Sequence, residues 1–147
     1  MEILIILANG FEEIEAIASI DILRRGKARV TIAGVGSINI NGSQGLKVTT
    51  DITVDEAVKN EYAVVILPGG EPGTTNLQNS ALVKQILNKH YEANKYIAAI
   101  CAAPRILNNL GFLNGVKATS YPGTKSLMNN CVYVEKAVVV DGQFITS

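Results

Sequence analysis

Cys101 is the residue of this sequence best placed to act as a nucleophile. It directly follows the apolar segment Tyr96–Ile100, and the helix expected after it has Pro104 in its first turn, where the missing N–H of proline removes no hydrogen bond. On such a strand-to-helix turn the side chain is exposed, and the free N–H groups of the helix lower the pKa of a thiol. The pattern favours a reactive cysteine over a buried one that packs as a small apolar side chain.

Three acidic residues, Glu12, Glu13 and Glu15, occupy the first turn of another predicted helix. Acidic side chains there complement the helix dipole, which is a purely structural explanation. Glu15 lies three positions after Glu12 on the same helical face, so its carboxyl can also turn inward beside the thiol. Desolvation there would raise the pKa of the carboxyl and let it carry a proton. Both interpretations of Glu15 stay open at this point.

A glycine-rich turn, Pro68–Gly73, follows a third apolar segment. It contains neither the Gly-x-Gly-x-x-Gly spacing nor a Walker sequence, so support for a nucleotide site is weak. It is either a plain tight turn or the source of a backbone N–H, at Gly70, that holds an oxyanion.

His90, the single histidine, is expected near the end of a helix that leads back to the start of the strand Tyr96–Ile100. Cys101 lies at the other end of that strand, and at about 3.3 Å per residue the two are more than ~15 Å apart. A cysteine–histidine pair within one chain is therefore excluded, which argues against a papain-like peptidase. Cys131 lies in an apolar strand, and one histidine with two distant cysteines predicts no zinc site.

The elements that must position these residues alternate between strand and helix, which predicts βαβ units, a parallel sheet and an α/β sandwich. Strands are predicted at four segments, Ile3–Ala8, Arg29–Ala33, Ala63–Leu67 and Tyr96–Ile100, of which the first and third read as fully buried. Helices are predicted over 12–26, 80–91 and 104–110, a small hairpin or an extension within 39–51, and short strands from 118 onward. Ligands bind beyond the carboxyl ends of such strands, so the loops that begin at Asn9, Pro68 and Cys101 are expected to form the site.

Composition narrows the class of protein. A chain of 147 residues that is 48% hydrophobic predicts one folded domain and excludes disorder. Thirteen basic and thirteen acidic residues balance, so nothing indicates binding to nucleic acid or to a membrane surface. No apolar run approaches the roughly 20 residues of a membrane span, and two cysteines make no disulfide framework. We expect a soluble, cytoplasmic protein.

Four motifs occur in a characteristic order: Phe11–Ala16, Asp21–Gly26, Val65–Gly70 and Ala98–Pro104. In these the chain resembles the ThiJ/PfpI superfamily, in its deglycase-like (DJ-1) branch, over essentially all 147 residues. The resemblance implies a flavodoxin-like three-layer sandwich with a mostly parallel sheet. It also implies that relatives continue beyond Ser147 into a long helix. Since a parallel sheet needs both faces covered, we expect this single domain to be incomplete at its C-terminus.

The resemblance also assigns roles to residues. Cys101 matches the reactive cysteine, and Glu15 matches a glutamate expected to be protonated and hydrogen-bonded to the sulfur. The backbone amides of Gly70 and Ala102 match an oxyanion site. Members of this branch are usually homodimers and use no cofactor.

Two positions depart from the family pattern. The peptidase branch has a histidine directly after the cysteine, where this chain has Ala102, so peptidase activity is not expected. Many members of the deglycase branch have a histidine before a proline where this chain has Tyr121 before Pro122. A tyrosine can donate a hydrogen bond but is a weak base at neutral pH, so Tyr121 is predicted to be at most an accessory residue.

The expected function is a cysteine-dependent deglycase, or glutathione-independent glyoxalase, with a role in carbonyl or oxidative stress. Its substrates would be methylglyoxal, glyoxal or their adducts on proteins. One alternative is a redox-responsive chaperone or sensor that works through oxidation of Cys101. A weaker one, suggested by the older family name alone, is a role in thiazole monophosphate biosynthesis.

Overall fold

A computed structural model describes all 147 residues of the chain. Its strands are β1 (Glu2–Leu7), β2 (Arg29–Gly34), β3 (Asn39–Asn41), β4 (Lys47–Thr49), β5 (Ile52–Thr53), β6 (Val64–Leu67), β7 (Tyr96–Ala99), β8 (Lys117–Ala118), β9 (Val132–Tyr133), β10 (Val139–Asp141) and β11 (Phe144–Thr146). Its helices are α1 (Glu13–Arg25), α2 (Val54–Ala57), α3 (Gly73–Asn79), α4 (Ala81–Glu92) and α5 (Pro104–Asn109), with a 3₁₀ helix at Pro122–Leu127. None of the helices is long and apolar enough to cross a lipid bilayer.

Seven strands form the central sheet, in the order β10-β11-β7-β6-β1-β2-β5. Every neighbouring pair is parallel except β10 and β11, which form an antiparallel hairpin. β3 pairs with β4 and β8 with β9 in two small separate sheets. Helices lie on both faces, so the predicted flavodoxin-like sandwich with a mostly parallel sheet is confirmed.

The continuous apolar sequence of β1 follows from its central place, because both of its faces are buried. Leu4 and Ile6 point into a cluster of 23 buried residues that also includes side chains from α2, α3, α4 and α5. Ile3 and Ile5 point to the other face, into a cluster of eight that includes Ala16 of α1. The two apolar layers are therefore unequal in size.

The thinner layer leaves part of the sheet exposed. Beside α1, an apolar groove of about 350 Å³ is lined by residues that include Ile66, Ala98 and Ile145. Near it, Ile22 of α1 is 67% exposed and Val140 of β10 is 64% exposed. The expectation that a further helix belongs on this face stays a prediction.

The end of α1 differs in detail from what its sequence predicts. Gly26 caps the helix, as expected, but its φ is −74°. The left-handed residue is the next one, Lys27, with φ 61°. The glycine therefore ends the helix without supplying the positive φ for which glycine is usually selected.

Candidate active site

Three loops meet at the carboxyl edge of the sheet, as the sequence predicts. They follow β1, β6 and β7, which lie side by side in the sheet in the order β7-β6-β1 although they are not consecutive in the chain. The Glu12 N–H donates to the Gly69 carbonyl at 2.9 Å, and the Gly73 N–H donates to the Gly10 carbonyl at 3.1 Å. These bonds join the first two loops directly beside the third, which begins at Cys101.

Cys101 has a strained backbone. Its φ is 61°, in the left-handed region that residues with a side chain rarely occupy. The conformation is held from two sides: its N–H donates to the Ser147 carbonyl at 2.8 Å, and its carbonyl accepts from the Tyr121 N–H at 2.8 Å. Pro104 is the first residue of α5, so Cys101 lies on the strand-to-helix turn that the sequence predicts.

Glu15 reaches the thiol from α1. Its Oε2 accepts a hydrogen bond from the Gly69 N–H at 2.6 Å, and its carboxyl lies beside the Cys101 thiol, whose pKa it raises. Of the two interpretations that the sequence leaves open, the structure supports the inward carboxyl. Its protonation stays a prediction.

The electrostatics of the pair differ from the sequence-based expectation. Burial and the neighbouring Glu15 carboxylate raise the pKa of Cys101 to about 11, while the Ala102 and Gly70 N–H groups act in the opposite direction. The prediction of a lowered thiol pKa is therefore wrong, because burial and the Glu15 carboxylate outweigh the two backbone N–H groups.

The N–H groups of Gly70 and Ala102 both act on the Cys101 sulfur, since each lowers the pKa of the thiol. Gly70 has φ +89°, and a Cβ there would lie 2.4 Å from the Glu12 nitrogen. This loop can therefore aim its N–H at the sulfur only with glycine at position 70. Two backbone donors and one carboxyl thus surround Sγ, which is an arrangement suited to a developing oxyanion.

Gly69 leaves just enough room for the pair to meet. A Cβ at this position would lie 2.7 Å from Cys101 Cβ and 2.8 Å from Glu15 Oε2. We expect Gly69→Ala to separate the two groups and to slow by about 100-fold any reaction of the thiol that needs the carboxyl beside it, since displacements of about 1 Å have effects of that size. Stopped-flow or discontinuous rate measurements on the purified variant would check this.

Gly26→Ala is the matched control for that variant. Gly26 also has an ordinary negative φ, and a Cβ there meets its nearest neighbour at 3.4 Å. It should react at the wild-type rate. Equal rates for Gly69→Ala and wild type would contradict the geometric argument.

Over residues 1–147, the sequence matches the model of the DJ-1/PfpI family. The chain belongs to this family. It is 40% identical over 148 residues to Protein DJ-1 homolog B of Arabidopsis thaliana, a match that covers 99% of this chain and 34% of that protein. It is 37% identical over 150 residues to Deglycase PH1704 of Pyrococcus horikoshii, covering 100% of this chain and 89% of that protein.

The crystal structure of Drosophila melanogaster DJ-1beta resembles this fold with a TM-score of 0.96 at 39% identity, covering 99% of this chain and 80% of that one. The predicted membership of the family is therefore confirmed. The chain spans only about a third of the length of the Arabidopsis relatives that it matches.

Tyr121, the position of departure from the DJ-1/PfpI pattern, borders the same cavity as Cys101. This cavity has a volume of about 620 Å³, and Tyr121 is 57% exposed. Its backbone N–H donates a hydrogen bond to the Cys101 carbonyl, whereas its hydroxyl forms no hydrogen bond with the thiol. An accessory role for this tyrosine stays a prediction.

Sequence reasoning missed the far wall of the cavity. The wall consists of polar and aromatic side chains from the segment after α5: Thr119, Ser120, Lys125, Tyr133, Glu135 and Lys136. Lys125 forms an ion pair with Glu135 at 2.6 Å and lies over the Tyr133 ring. This segment has no long periodic pattern, so its sequence predicts short strands but not a cavity wall.

The remaining candidates lie away from the thiol. His90 is buried in α4, and its carbonyl is bonded by the Lys95 N–H and by the Gln143 side chain, at the start of β7. That is the end opposite Cys101, as predicted. The Cys131 thiol bonds to the Met128 carbonyl at 3.3 Å and packs against the larger core. No three His, Cys, Asp or Glu side chains lie close enough together to hold a metal ion.

Glu13 turns away from the thiol and holds the β3–β4 hairpin. Its Oε1 accepts from the Gln44 N–H at 2.7 Å and from the Leu46 N–H at 3.4 Å, and its Oε2 accepts from the Ser43 hydroxyl at 3.1 Å. Burial raises its pKa, but its backbone hydrogen bonds outweigh that effect and lower the pKa below the ordinary value. Glu13 is therefore structural.

We expect Glu13→Gln to lower the melting temperature at neutral pH. Because the pKa of Glu13 is lowered by folding, its stabilising contribution is present above the unfolded-state pKa and is lost as the pH falls through the folded-state pKa. The difference from wild type should therefore narrow in acid, as measured by circular dichroism. Glu12→Gln, which loses one contact with Ser43 at 3.3 Å, is the control, and a pH-independent difference for Glu13→Gln would contradict the assignment.

Proposed function

We propose that this protein is a cysteine-dependent deglycase, or glutathione-independent glyoxalase. It would act on methylglyoxal, glyoxal or their adducts on proteins, in defence against carbonyl or oxidative stress. The observation that carries the proposal is the position of the Cys101 thiol beside the Glu15 carboxyl and the Gly70 and Ala102 N–H groups, all of which shift its pKa. A relative named as a deglycase, 37% identical along the whole chain, supports it.

The raised thiol pKa makes Glu15 the general base for the first step. As Sγ of Cys101 bonds to the aldehyde carbon of methylglyoxal, the thiol proton passes to the Glu15 carboxylate. The aldehyde oxygen takes the negative charge, where the Gly70 and Ala102 N–H groups stabilise it. Return of the proton to that oxygen gives a neutral hemithioacetal.

Glu15 then moves a second proton. It removes the hydrogen on the carbon bonded to sulfur and returns a proton to the neighbouring carbonyl carbon, through an enediolate. The hydroxyl proton on the sulfur-bearing carbon passes at the same stage to the neighbouring oxygen, so that the first oxygen becomes the thioester carbonyl and the second a hydroxyl. The product is a lactyl thioester, which water hydrolyses to lactate and the free thiol. One carbon is oxidised and its neighbour is reduced, so the sum is methylglyoxal plus water to lactic acid and requires no external oxidant.

Adducts on proteins enter the same sequence. With an aminocarbinol, Sγ of Cys101 replaces the amine at the carbinol carbon, and the amine leaves with a proton. The same hemithioacetal results, and the protein side chain is released unmodified. The open cavity of about 620 Å³ is of a size that admits such a substrate.

The direct test is the formation of lactate from methylglyoxal in the absence of glutathione, followed with a lactate dehydrogenase-coupled assay. The purified protein should produce lactate in proportion to its concentration. Methylglyoxal that disappears without producing lactate would overturn the proposed reaction.

A second candidate function is redox sensing, with chaperone activity, through Cys101. The observation that favours it is the same pair of N–H groups and the same carboxyl, which can hold the oxygens of a sulfinate. Two equivalents of hydrogen peroxide convert the thiolate to sulfinate and release two waters. Mass spectrometry during a mild peroxide titration should show Cys101 gaining two oxygens first, and oxidation of Cys131 before Cys101 would refute this candidate.

The cellular setting completes the proposal. Both cysteines are free, which fits a reducing compartment, so we place the protein in the cytoplasm, where it would need no cofactor. We also propose a homodimer, as the resemblance to the family implies. Size-exclusion chromatography with light scattering would measure its mass, and a monomer at working concentration would refute the dimer.

A further inference from the structure

A partly buried ion pair links the two segments that supply the N–H groups beside the thiol. Arg105 Nη2 lies 2.5 Å from Glu71 Oε1, and the Arg105 side chain is only 16% exposed. Arg105 belongs to α5, four residues after Cys101 and three after Ala102. Glu71 directly follows Gly70 in the loop after β6. One contact therefore connects α5, which directly follows the Ala102 N–H, with the loop after β6, which carries the Gly70 N–H.

Thr75 of α3 closes this contact into a ring. Arg105 Nη2 donates to Thr75 Oγ1 at 3.0 Å, and Thr75 Oγ1 donates to Glu71 Oε2 at 2.9 Å. Both carboxylate oxygens of Glu71 are thus engaged, and the threonine hydroxyl both donates and accepts. A closed set of this kind fixes the orientation of Glu71 more firmly than a single exposed ion pair, whose own effect is small.

The contact between Arg105 and Glu71 affects the distance between two backbone donors, the N–H groups of Gly70 and Ala102. Gly70 N–H and Ala102 N–H come from separate loops, and both lower the pKa of the Cys101 thiol. We propose that Arg105 and Glu71 are positioning residues that hold these two N–H groups at the spacing required to stabilise the oxyanion. The proposal rests on the proposed function for its catalytic consequence, although its effect on the thiol can be measured without any substrate.

Arg105→Met tests the proposal, because it removes the charge and the donors but keeps much of the side-chain volume. We expect kcat for methylglyoxal to fall about 10-fold with little change in KM, since misplaced oxyanion donors weaken transition-state binding rather than substrate binding. We also expect the pH midpoint for alkylation of Cys101 by iodoacetamide to rise, because the two N–H groups lower the thiol pKa. Cys131→Ser provides the background in which the alkylation reports on one thiol.

Two further variants separate positioning from stability. Glu71→Gln keeps the shape of the side chain and should show the same changes, and the double variant should be no worse than either single one. Arg105→Lys, which retains the charge, should recover part of kcat. Lys95→Met, which breaks the Lys95–Glu61 ion pair at the opposite end of the sheet, should alter stability without changing either kcat or the alkylation midpoint.

The outcomes distinguish the two proposals. If Arg105→Met and Glu71→Gln are folded and keep both the wild-type kcat and the wild-type alkylation midpoint, the positioning role is wrong. If the effects appear equally in Lys95→Met, they reflect general stability and the role is also wrong. If wild type produces no lactate, the proposed function fails, and the alkylation midpoint still decides whether the ion pair positions the N–H groups.

Discussion

Cys101→Ser is expected to lose lactate formation from methylglyoxal by on the order of 10³-fold or more, as removal of an enzyme nucleophile typically does. A serine hydroxyl is a far weaker acid than a thiol, so Glu15 cannot draw its proton away as the bond to the aldehyde forms. The substitution changes one atom and keeps the backbone contacts to Ser147 and Tyr121, which involve only main-chain atoms. The measurement is lactate per mole of protein over time, without glutathione.

Cys131→Ser is the matched control for this experiment. Cys131 is the second free cysteine, and its thiol bonds to the Met128 carbonyl rather than to any group near Glu15. It should form lactate at the wild-type rate. Lactate formation that survives in Cys101→Ser would rule out the mechanism, whatever the behaviour of the control.

Glu15→Gln is expected to reduce the same reaction by about 10²- to 10⁴-fold, the usual range for a general acid–base residue. The amide oxygen of glutamine can still accept from the Gly69 N–H, now 2.6 Å from Glu15 Oε2, so the loop should keep its place. What disappears is the ability to take a proton from the thiol and to move one between adjacent carbons. Single-turnover lactate formation in the variant separates this chemical defect from substrate binding.

Glu12→Gln is the control for the carboxyl itself, since it lies in the same turn but contacts the Ser43 hydroxyl. Its rate should equal that of wild type. If Glu15→Gln retains the wild-type rate, the proton must be carried by another group, and the role assigned to Glu15 is wrong. A raised KM with an unchanged kcat would likewise contradict a role in proton transfer.

Much of the sheet and the centre of the site could be predicted because the signals are local. The central strands are apolar runs that only a doubly covered parallel sheet explains, and Ser80 caps α4 by accepting from the Val83 N–H, at the position where the predicted helix begins. Cys101 and Gly70 could be found because each stands at the end of such a strand. Their meeting follows from the topology of parallel sheets.

The elements that escaped prediction depend on contacts between distant residues. α3 has a sequence poor in apolar periodicity, and it is anchored to another loop through Asn76, whose side chain donates to the Asn9 carbonyl at 2.8 Å. The pKa of the thiol is a similar case. The helix N-terminus beside Cys101 is visible in the sequence, but the burial and the Glu15 carboxylate that exceed it arise only when the chain folds.

The attachment of Cys101 to Ser147 gives the active site a thermodynamic weak point. The N–H of the strained cysteine is bonded to a residue directly after β11, and β11 is followed in the sheet only by the short edge strand β10. Edge hairpins belong to the parts of a fold that open at free energies below that of global unfolding. Fraying of this edge would release the backbone of Cys101 while the rest of the core stays intact. We therefore expect heat or denaturant to change the reactivity of this thiol through a sub-global opening before the protein melts.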